Sequence, residues 1–132
     1  MSLAMKTLAC LCFAAFLSIP TMAQDAASLR KERDKLHDRG MWREAVKFHD
    51  ENLLPISDSE SGRDLEKAVD ALRQLNAWAE FDALVEKSVS ARPTNAALLA
   101  KAAAAYQNAP HSGRLIAGEF ERDNGGRYHG RR

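Results

Sequence analysis

Four histidines are the residues of this chain best suited to metal binding or acid–base chemistry. None of them belongs to an H-E-x-x-H motif or to another short spacing that would place two ligands on one helical face. His49 is followed by Asp50 and Glu51, but consecutive helical residues diverge by about 100° and cannot converge on one ion. We therefore expect no metal site and no cofactor. The four positions are His37, His49, His111 and His129.

The motifs of nucleophilic catalysis and phosphate binding are missing from the sequence. It has no G-x-S-x-G elbow, no glycine loop that would cradle a phosphate, and no dinucleotide fingerprint. Gly125-Gly126 lies in a polar tail and does not join a strand to a helix. A Ser-His-Asp arrangement built from distant positions stays open as an alternative. We predict a protein without enzymatic activity.

Residues 1–23 have the composition of a secretory signal peptide. Lys6 supplies a positive charge before the apolar run from Leu8 to Ile19, and Pro20 ends that run. The last residues, Thr21-Met22-Ala23, place small side chains where signal peptidase reads them. The apolar run is about a dozen residues, shorter than the roughly 20 that a membrane-spanning helix needs. We expect cleavage after Ala23 and export to the periplasm or the extracellular space; an uncleaved N-terminal anchor is the alternative.

Charge and cysteine content narrow the class of partner. Cys10 and Cys12 both lie in the apolar run, so the exported chain would carry no thiol. The full sequence has 19 basic and 18 acidic residues, and cleavage would remove one basic residue, Lys6. A chain with balanced charge lacks the strong positive field that attracts nucleic acid or membrane surfaces. We therefore expect a protein partner, no nucleic acid, and no membrane after signal cleavage.

The body of the chain, residues 24–110, has helical periodicity throughout. A charged first helix ends at Gly40, and Pro55 follows the second helix. A longer polar connection then leads into the clearest amphipathic helix, whose apolar stripe is Leu65, Ala68, Val69, Leu72 and Leu75. Two more helices follow before Pro110, and the last of them is rich in alanine. No segment alternates polar and apolar residues for long enough to suggest a sheet, so the predicted fold class is all-α.

Two turns with the same pattern divide the body into helical hairpins. Gly40 stands two positions before Trp42, and Asn76 stands two positions before Trp78. The tryptophans are separated by 36 residues, a spacing typical of stacked helix pairs. We expect both tryptophans to be mostly buried at equivalent seams between helices.

When these two turns are taken as the turns of successive helix pairs, the chain resembles the tetratricopeptide-repeat family, whose 34-residue unit is a pair of antiparallel helices. The first-helix packing positions of the second unit are Leu65, Ala68, Val69 and Leu72, and those of the third are Leu99, Ala102, Ala103 and Tyr106. The chain departs from the family pattern at Glu32 and Arg33, at Phe81, and at Pro110, which interrupts the third unit. The resemblance implies two to three stacked hairpins that act in protein–protein contact.

The same resemblance implies an inner groove lined by the outward positions of the first helix in each unit. Such a mixed-charge surface suits a peptide or a neighbouring protein domain better than a small molecule. The alternative is a solvated face of ion pairs. The candidate partner-binding residues are Arg30, Asp34 and His37 in the first unit, and Arg63, Glu66, Asp70 and Arg73 in the second.

Residues 111–132 differ from the helical body in composition and in the spacing of their apolar residues. Leu115, Ile116 and Phe120 could form one or two amphipathic turns, and we expect a weak helix there followed by a flexible, disordered Gly/Arg-rich tail. The segment L-I-A-G-E-F-E-R with Arg127-Tyr128 resembles part of large bacterial alpha-2-macroglobulin-like proteins, which trap proteases. The resemblance implies, as the alternative function, an N-terminal fragment of such an inhibitor. No thioester motif (C-x-E-Q) is present, so trapping activity does not transfer to this chain.

Overall fold

Five α-helices account for most of residues 22–123, the part of the chain that a computed structural model describes. The elements are α1 (Met22–Asp38), α2 (Trp42–Phe48) with a π-helical turn (His49–Leu53), α3 (Ser61–Gln74), a 3₁₀ turn (Trp78–Glu80), α4 (Phe81–Ala91), α5 (Ala96–Asn108), and strands β1 (Gly113–Ile116) and β2 (Glu119–Arg122). The all-α prediction is confirmed. Most of the predicted signal peptide, and the predicted tail beyond residue 123, lie outside the described residues.

The two turns identified in the sequence have the same backbone geometry. Gly40 and Asn76 both adopt left-handed conformations, with φ of 68° and 54°. In each turn the left-handed residue donates to the carbonyl three positions earlier, and the next residue donates to the carbonyl five positions earlier, at 2.9–3.0 Å. These two bonds make a Schellman motif, which satisfies the last carbonyls of a helix. The turns therefore end α1 and α3 in the same way, as predicted.

Both tryptophans that follow these turns are partly buried. Trp42 begins α2 and meets the His37 ring edge-on, with ring centroids 5.5 Å apart. Trp78 begins a 3₁₀ turn, and its ring lies 5.6 Å from that of Phe81. The two positions are thus equivalent in the turn but differ in the helix that follows, because α4 begins only at Phe81.

The apolar core is built around α3, which packs against α2, α4 and α5. The predicted stripe on α3 is buried, except for Leu75 at its end, which is half-buried. The buried residues of the apolar core lie in α3 and in the segments that follow it, whereas α2 contributes the partly buried Val46. The buried members are Leu65, Ala68, Val69, Leu72, Phe81, Leu84, Val85, Leu98, Ala102 and Ala109.

Small residues let α3 and α5 approach closely. A Cβ atom added at Gly62 would lie 2.8 Å from the backbone oxygen of Ala97, so no larger residue fits there without a shift. Alanines on α5 extend the close contact, and Asn95 caps this helix by accepting from the Leu98 N–H at 3.0 Å. At the start of α3 the Ser61 hydroxyl donates to the Ile56 carbonyl of the preceding loop, and no side chain caps this helix.

Residues 113–122 form a β-hairpin, so the prediction of a weak helix and no sheet is wrong in this segment. Pro110 follows the last helix, and Gly113 lies so close to β2 that a Cβ atom there would collide with the Glu121 carbonyl oxygen. The two-residue turn Ala117-Gly118 has positive φ at both positions, 51° and 87°. This is the geometry that matches the twist of an antiparallel pair, and it is incompatible with a continuing helix. Among the described residues, no helix is long and apolar enough to cross a membrane.

Candidate functional site

A buried ion cluster joins α1 to α3. Asp64 of α3 is fully buried and accepts from two arginines of α1. Its Oδ1 accepts from Arg30 Nε at 3.0 Å and from Arg33 Nη1 at 2.5 Å, and its Oδ2 accepts from Arg30 Nη2 at 2.7 Å. Arg30 also makes a two-point contact with Asp58, at 2.8 and 2.9 Å. The cluster therefore connects α1, the α2–α3 loop and α3.

Arg30 is consequently not an open binding residue. Its side chain is only 15% exposed, and its hydrogen bonds with Asp64 and Asp58 raise the pKa of its guanidinium. The same contact lowers the pKa of the Asp58 carboxyl, where hydrogen bonding to Arg30 outweighs the opposing effect of burial. Both groups are held in their charged forms. The sequence predicted that Arg30 faces a binding partner, whereas in the structure its side chain forms ion pairs within the protein.

A third arginine fixes the loop between α2 and α3. Arg92 is buried after α4, donates from Nη1 to the carbonyls of Leu53 and Ile56 at 3.5 and 3.0 Å, and donates from Nε to Ser88 O at 3.3 Å. Burial lowers the pKa of its guanidinium. Asn95 adds a bond from its side-chain nitrogen to Asp58 O at 2.9 Å. The longest polar connection of the body is therefore held at several points.

His37 is also turned inward, which corrects its predicted place on an open groove. It is buried at the end of α1, and its Nε2 has no hydrogen-bond partner among the described residues. Asp34, in contrast, is half exposed and accepts from Arg33 Nε at 3.0 Å. The first-unit candidates thus serve mainly the packing of α1.

Burial is the main cause that lowers the pKa of the His37 imidazole. The positive charges of Lys67 and Arg33 act in the same direction. The carboxylates of Asp70 and Asp34 oppose them without reversing the shift. The folded protein therefore favours neutral His37.

An open cleft with a volume of about 370 Å³ runs along the seam between α3 and α5. α3 contributes two of the predicted residues, Glu66 and Arg73. The lining consists of Glu66, Val69, Arg73, Trp78, Lys101, Ala104, Ala105 and Asn108.

A second, shallower depression of about 280 Å³ continues the cleft toward the start of α3. It includes Arg63, and it shares Glu66 and Lys101 with the first. Lys101 Nζ lies 3.1 Å from Glu66 Oε2, so an exposed ion pair bridges the seam where the two depressions meet. The structure therefore brings Arg63, Glu66 and Arg73 together along one surface.

Asp70, the remaining candidate, lines neither of these two depressions. Its Oδ1 accepts from Arg73 Nη2 at 2.8 Å, which leaves the arginine of the cleft paired on its own helix. The Asp70 carboxylate also opposes the lowering of the His37 pKa, so its charge acts toward the end of α1. The predicted set therefore divides between two sides of α3.

Neither a metal-binding cluster nor a solvent-accessible role for His49 is found in residues 25–123. No group of three or more His, Cys, Asp or Glu side chains in this part of the chain could hold a metal ion. His49 is fully buried in the π-helical turn, with Nδ1 3.4 Å from Asp50 Oδ1, and it is closed to solvent. Asp50 is itself paired with Lys87 at 3.1 Å, and hydrogen bonding to His49 is the first cause of its lowered pKa.

Several residues of these sites were not identified from the sequence. Arg33 falls on the inward stripe of α1, four positions after Leu29, which is a signal that could have been read. Asp64 likewise lies on the buried side of α3, four positions before Ala68. Lys101 gave no local signal, because its role depends on Glu66, 35 residues earlier.

Replacing Asp64 with Ala should lower the free energy of unfolding by about 3–5 kcal/mol, because the buried Arg33 would lose the carboxylate that its Nη1 contacts and keep only the half-exposed Asp34. Urea unfolding followed by circular dichroism measures this change. Asp70→Ala is the matched control, since it removes an exposed pair within one helix and should cost at most about 0.5 kcal/mol. Equal, small losses in both variants would contradict the assignment.

Acidification from pH 7.5 to 5.5 should lower the free energy of unfolding through His37. Since its pKa is lower in the folded state, the unfolded chain binds the proton more readily below the ordinary value of about 6.5. The stabilisation is complete above that pH and is lost as the pH falls toward the folded-state pKa. Denaturation at several pH values should show a smaller decrease for His37→Leu than for the original chain. His111→Leu, at an exposed position, should keep the full decrease; the same profile in all three would refute the role.

Comparison of the chain with models of known protein families, with curated proteins and with solved structures gives no match. The tetratricopeptide-like and macroglobulin-like relationships therefore stay predictions.

Proposed function

We propose that this chain is an exported, non-catalytic protein-interaction module that binds an extended segment of another protein along the seam between α3 and α5. The observation that carries the proposal is the pair of adjoining depressions that share Glu66 and Lys101. Three predicted partner-binding residues, Arg63, Glu66 and Arg73, lie on this surface. No cofactor is required for binding of this kind.

The form of the cleft favours a peptide segment over a small molecule. Small-molecule sites generally enclose most of the ligand surface, whereas this cleft is open along the helix pair. An extended chain could follow the seam and place successive side chains in the two depressions. Val69, Trp78 and Ala105 offer an apolar patch at one end, and Arg63 offers a positive charge at the other.

Charged groups of a partner could replace the exposed ion pair in the middle of the seam. Lys101 and Glu66 are each about half exposed, so their contact stabilises the fold by little. A partner carrying one charge of each sign could replace the contact at small cost. The expected partner segment therefore has polar or charged side chains at its centre and an apolar side chain near Trp78.

Ala104→Arg should weaken this binding, because Ala104 is exposed and lines the cleft, where arginine would occupy the groove. Peptides selected on the original chain from a random-sequence display library are the probe. Their affinity should fall at least about tenfold, or about 1.4 kcal/mol, by fluorescence anisotropy.

Ala103→Arg is the matched control for that experiment. It places the same side chain on the same helix at an exposed position turned away from the cleft. Peptide affinity should be retained in this variant. A library that yields no specific peptide, or selected peptides that bind both variants as tightly as the original chain, would overturn the proposed site.

Export is the second part of the proposal, and it rests on the signal-peptide pattern of residues 1–23. Mass spectrometry of the protein secreted by an expressing bacterium should give an N-terminus at Gln24, because cleavage follows Ala23. Replacing Ala23 with a bulky residue such as Phe should block processing. Full-length protein beginning at Met1 in the soluble cytoplasm would contradict export.

A second candidate is the N-terminal part of a longer macroglobulin-like inhibitor. The observation that favours it is the change from helices to strands in residues 113–122, the segment that carries the resemblance. In that case the partner of this chain is a further domain of its own polypeptide. A reading frame that continues past Arg132 into macroglobulin-like domains would support this candidate, and a stop codon followed by an unrelated gene would contradict it.

A further inference from the structure

Arg122 of β2 attaches the hairpin to the helical body. Arg122 donates from Nε to Asp82 Oδ2 at 2.7 Å and from Nη2 to Asp82 Oδ1 at 3.0 Å, and Nη1 donates to the Pro110 carbonyl. Its guanidinium also lies 5.3 Å from the ring centre of Phe81 and 5.7 Å from that of Tyr106. Such charged and cation–π contacts hold the end of β2 against α4 and α5.

β1 is left as an open edge. It pairs with β2 alone among the described strands, and all four of its residues are exposed. Leu115 is 75% exposed, Ile116 46% and Phe120 47%, so the hairpin presents apolar side chains around that edge. A two-stranded hairpin with an uncovered apolar edge is marginally stable and is a template for pairing with another strand.

The register shows which backbone groups are free at this edge. Asp123 N donates to Ser112 O at 3.1 Å, in line with the pairing of Arg114 with Glu121. Hydrogen-bonded and non-hydrogen-bonded pairs alternate along an antiparallel ladder. Leu115, opposite Phe120, therefore belongs to a non-hydrogen-bonded pair, and its own N–H and C=O point away from β2.

We infer that this edge pairs with the same edge of a second copy of the chain, antiparallel and with the two-fold axis at Leu115. Residues whose backbone N–H and C=O groups point away from β2 must pair with each other across such an interface. Only a few registers satisfy this condition. Centring the pair on Arg114 would place two arginines opposite each other, and like charges there are destabilising. Centring it on Leu115 places Arg114 opposite Ile116 of the second copy and avoids that repulsion.

The Leu115 register also brings the exposed Leu115 side chains of the two copies together. Within the hairpin Leu115 is opposite Phe120, whose ring lies close to Gly113 and to the Arg122 guanidinium. In the dimer the two Leu115 side chains lie opposite each other on one face of a four-stranded sheet. A closed two-fold contact of this kind uses the same surface on both copies and leaves no free β1 edge. The interface is small, so the association is expected to be weak and concentration-dependent.

Sedimentation equilibrium over a wide concentration range tests the association. The original chain should pass from monomer to dimer, and Leu115→Asp should weaken dimerisation at least about tenfold, equivalent to about 1.4 kcal/mol. Met41→Asp is the control, because Met41 is an exposed apolar residue far from the hairpin in sequence. It should dimerise as the original chain does.

A cross-linking experiment tests the register separately. In a chain with Cys10→Ser and Cys12→Ser, Leu115→Cys should be joined to its copy by a short bis-maleimide reagent. Glu119→Cys, on the strand away from the axis, should not be cross-linked efficiently. A chain that stays monomeric at all concentrations, forms open-ended oligomers, or dimerises equally well with Leu115→Asp would overturn the proposal. None of these outcomes depends on the α3–α5 cleft.

Discussion

The contact between Asp64 and the two arginines of α1 is the interaction on which the arrangement of the first helical hairpin depends. The main apolar cluster is formed from α3 onward, with Val46 as the contribution of α2. α1 has few apolar side chains, and its inward stripe includes Arg33 and His37. Buried charges of this kind are costly unless each is paired, so the geometry of the cluster specifies one position of α1 on α3. A different rotation of α1 would leave Asp64 without its donors.

This constraint separates the two sides of α3. On one side, charged groups are used internally to hold α1 and the long polar loop. On the other side, Gly62 and the alanines of α5 allow close helix packing, and longer charged side chains remain at the rim of the open cleft. The same helix thus carries charges for stability on one face and charges available for a partner on the other. The proposed binding surface follows from that division, because only the second set is exposed.

Sequence periodicity was sufficient to predict the helices and their turns, but it could not predict the polar contacts between the helices. Gly40 and Asn76 were readable because a left-handed helix end has a local signature. Arg30 was misplaced because its partners lie 28 and 34 residues away, and periodicity within one helix does not report such distances. The hairpin was missed because its strands have four residues each and its turn is Ala117-Gly118, which lacks the usual asparagine or aspartate. The groove residues on α3 were correctly placed on an exposed face, but their neighbour Lys101 was invisible without the fold.

Native-state hydrogen exchange of the amides in residues 30–38, compared with those of α3, tests the central claim most directly. If the buried ion cluster joins α1 to the core as one cooperative unit, both sets of amides should exchange with the free energy of global unfolding. If α1 were attached only by its sparse apolar contacts, its amides would exchange through a local opening several kcal/mol below that of α3. That second result would contradict the account.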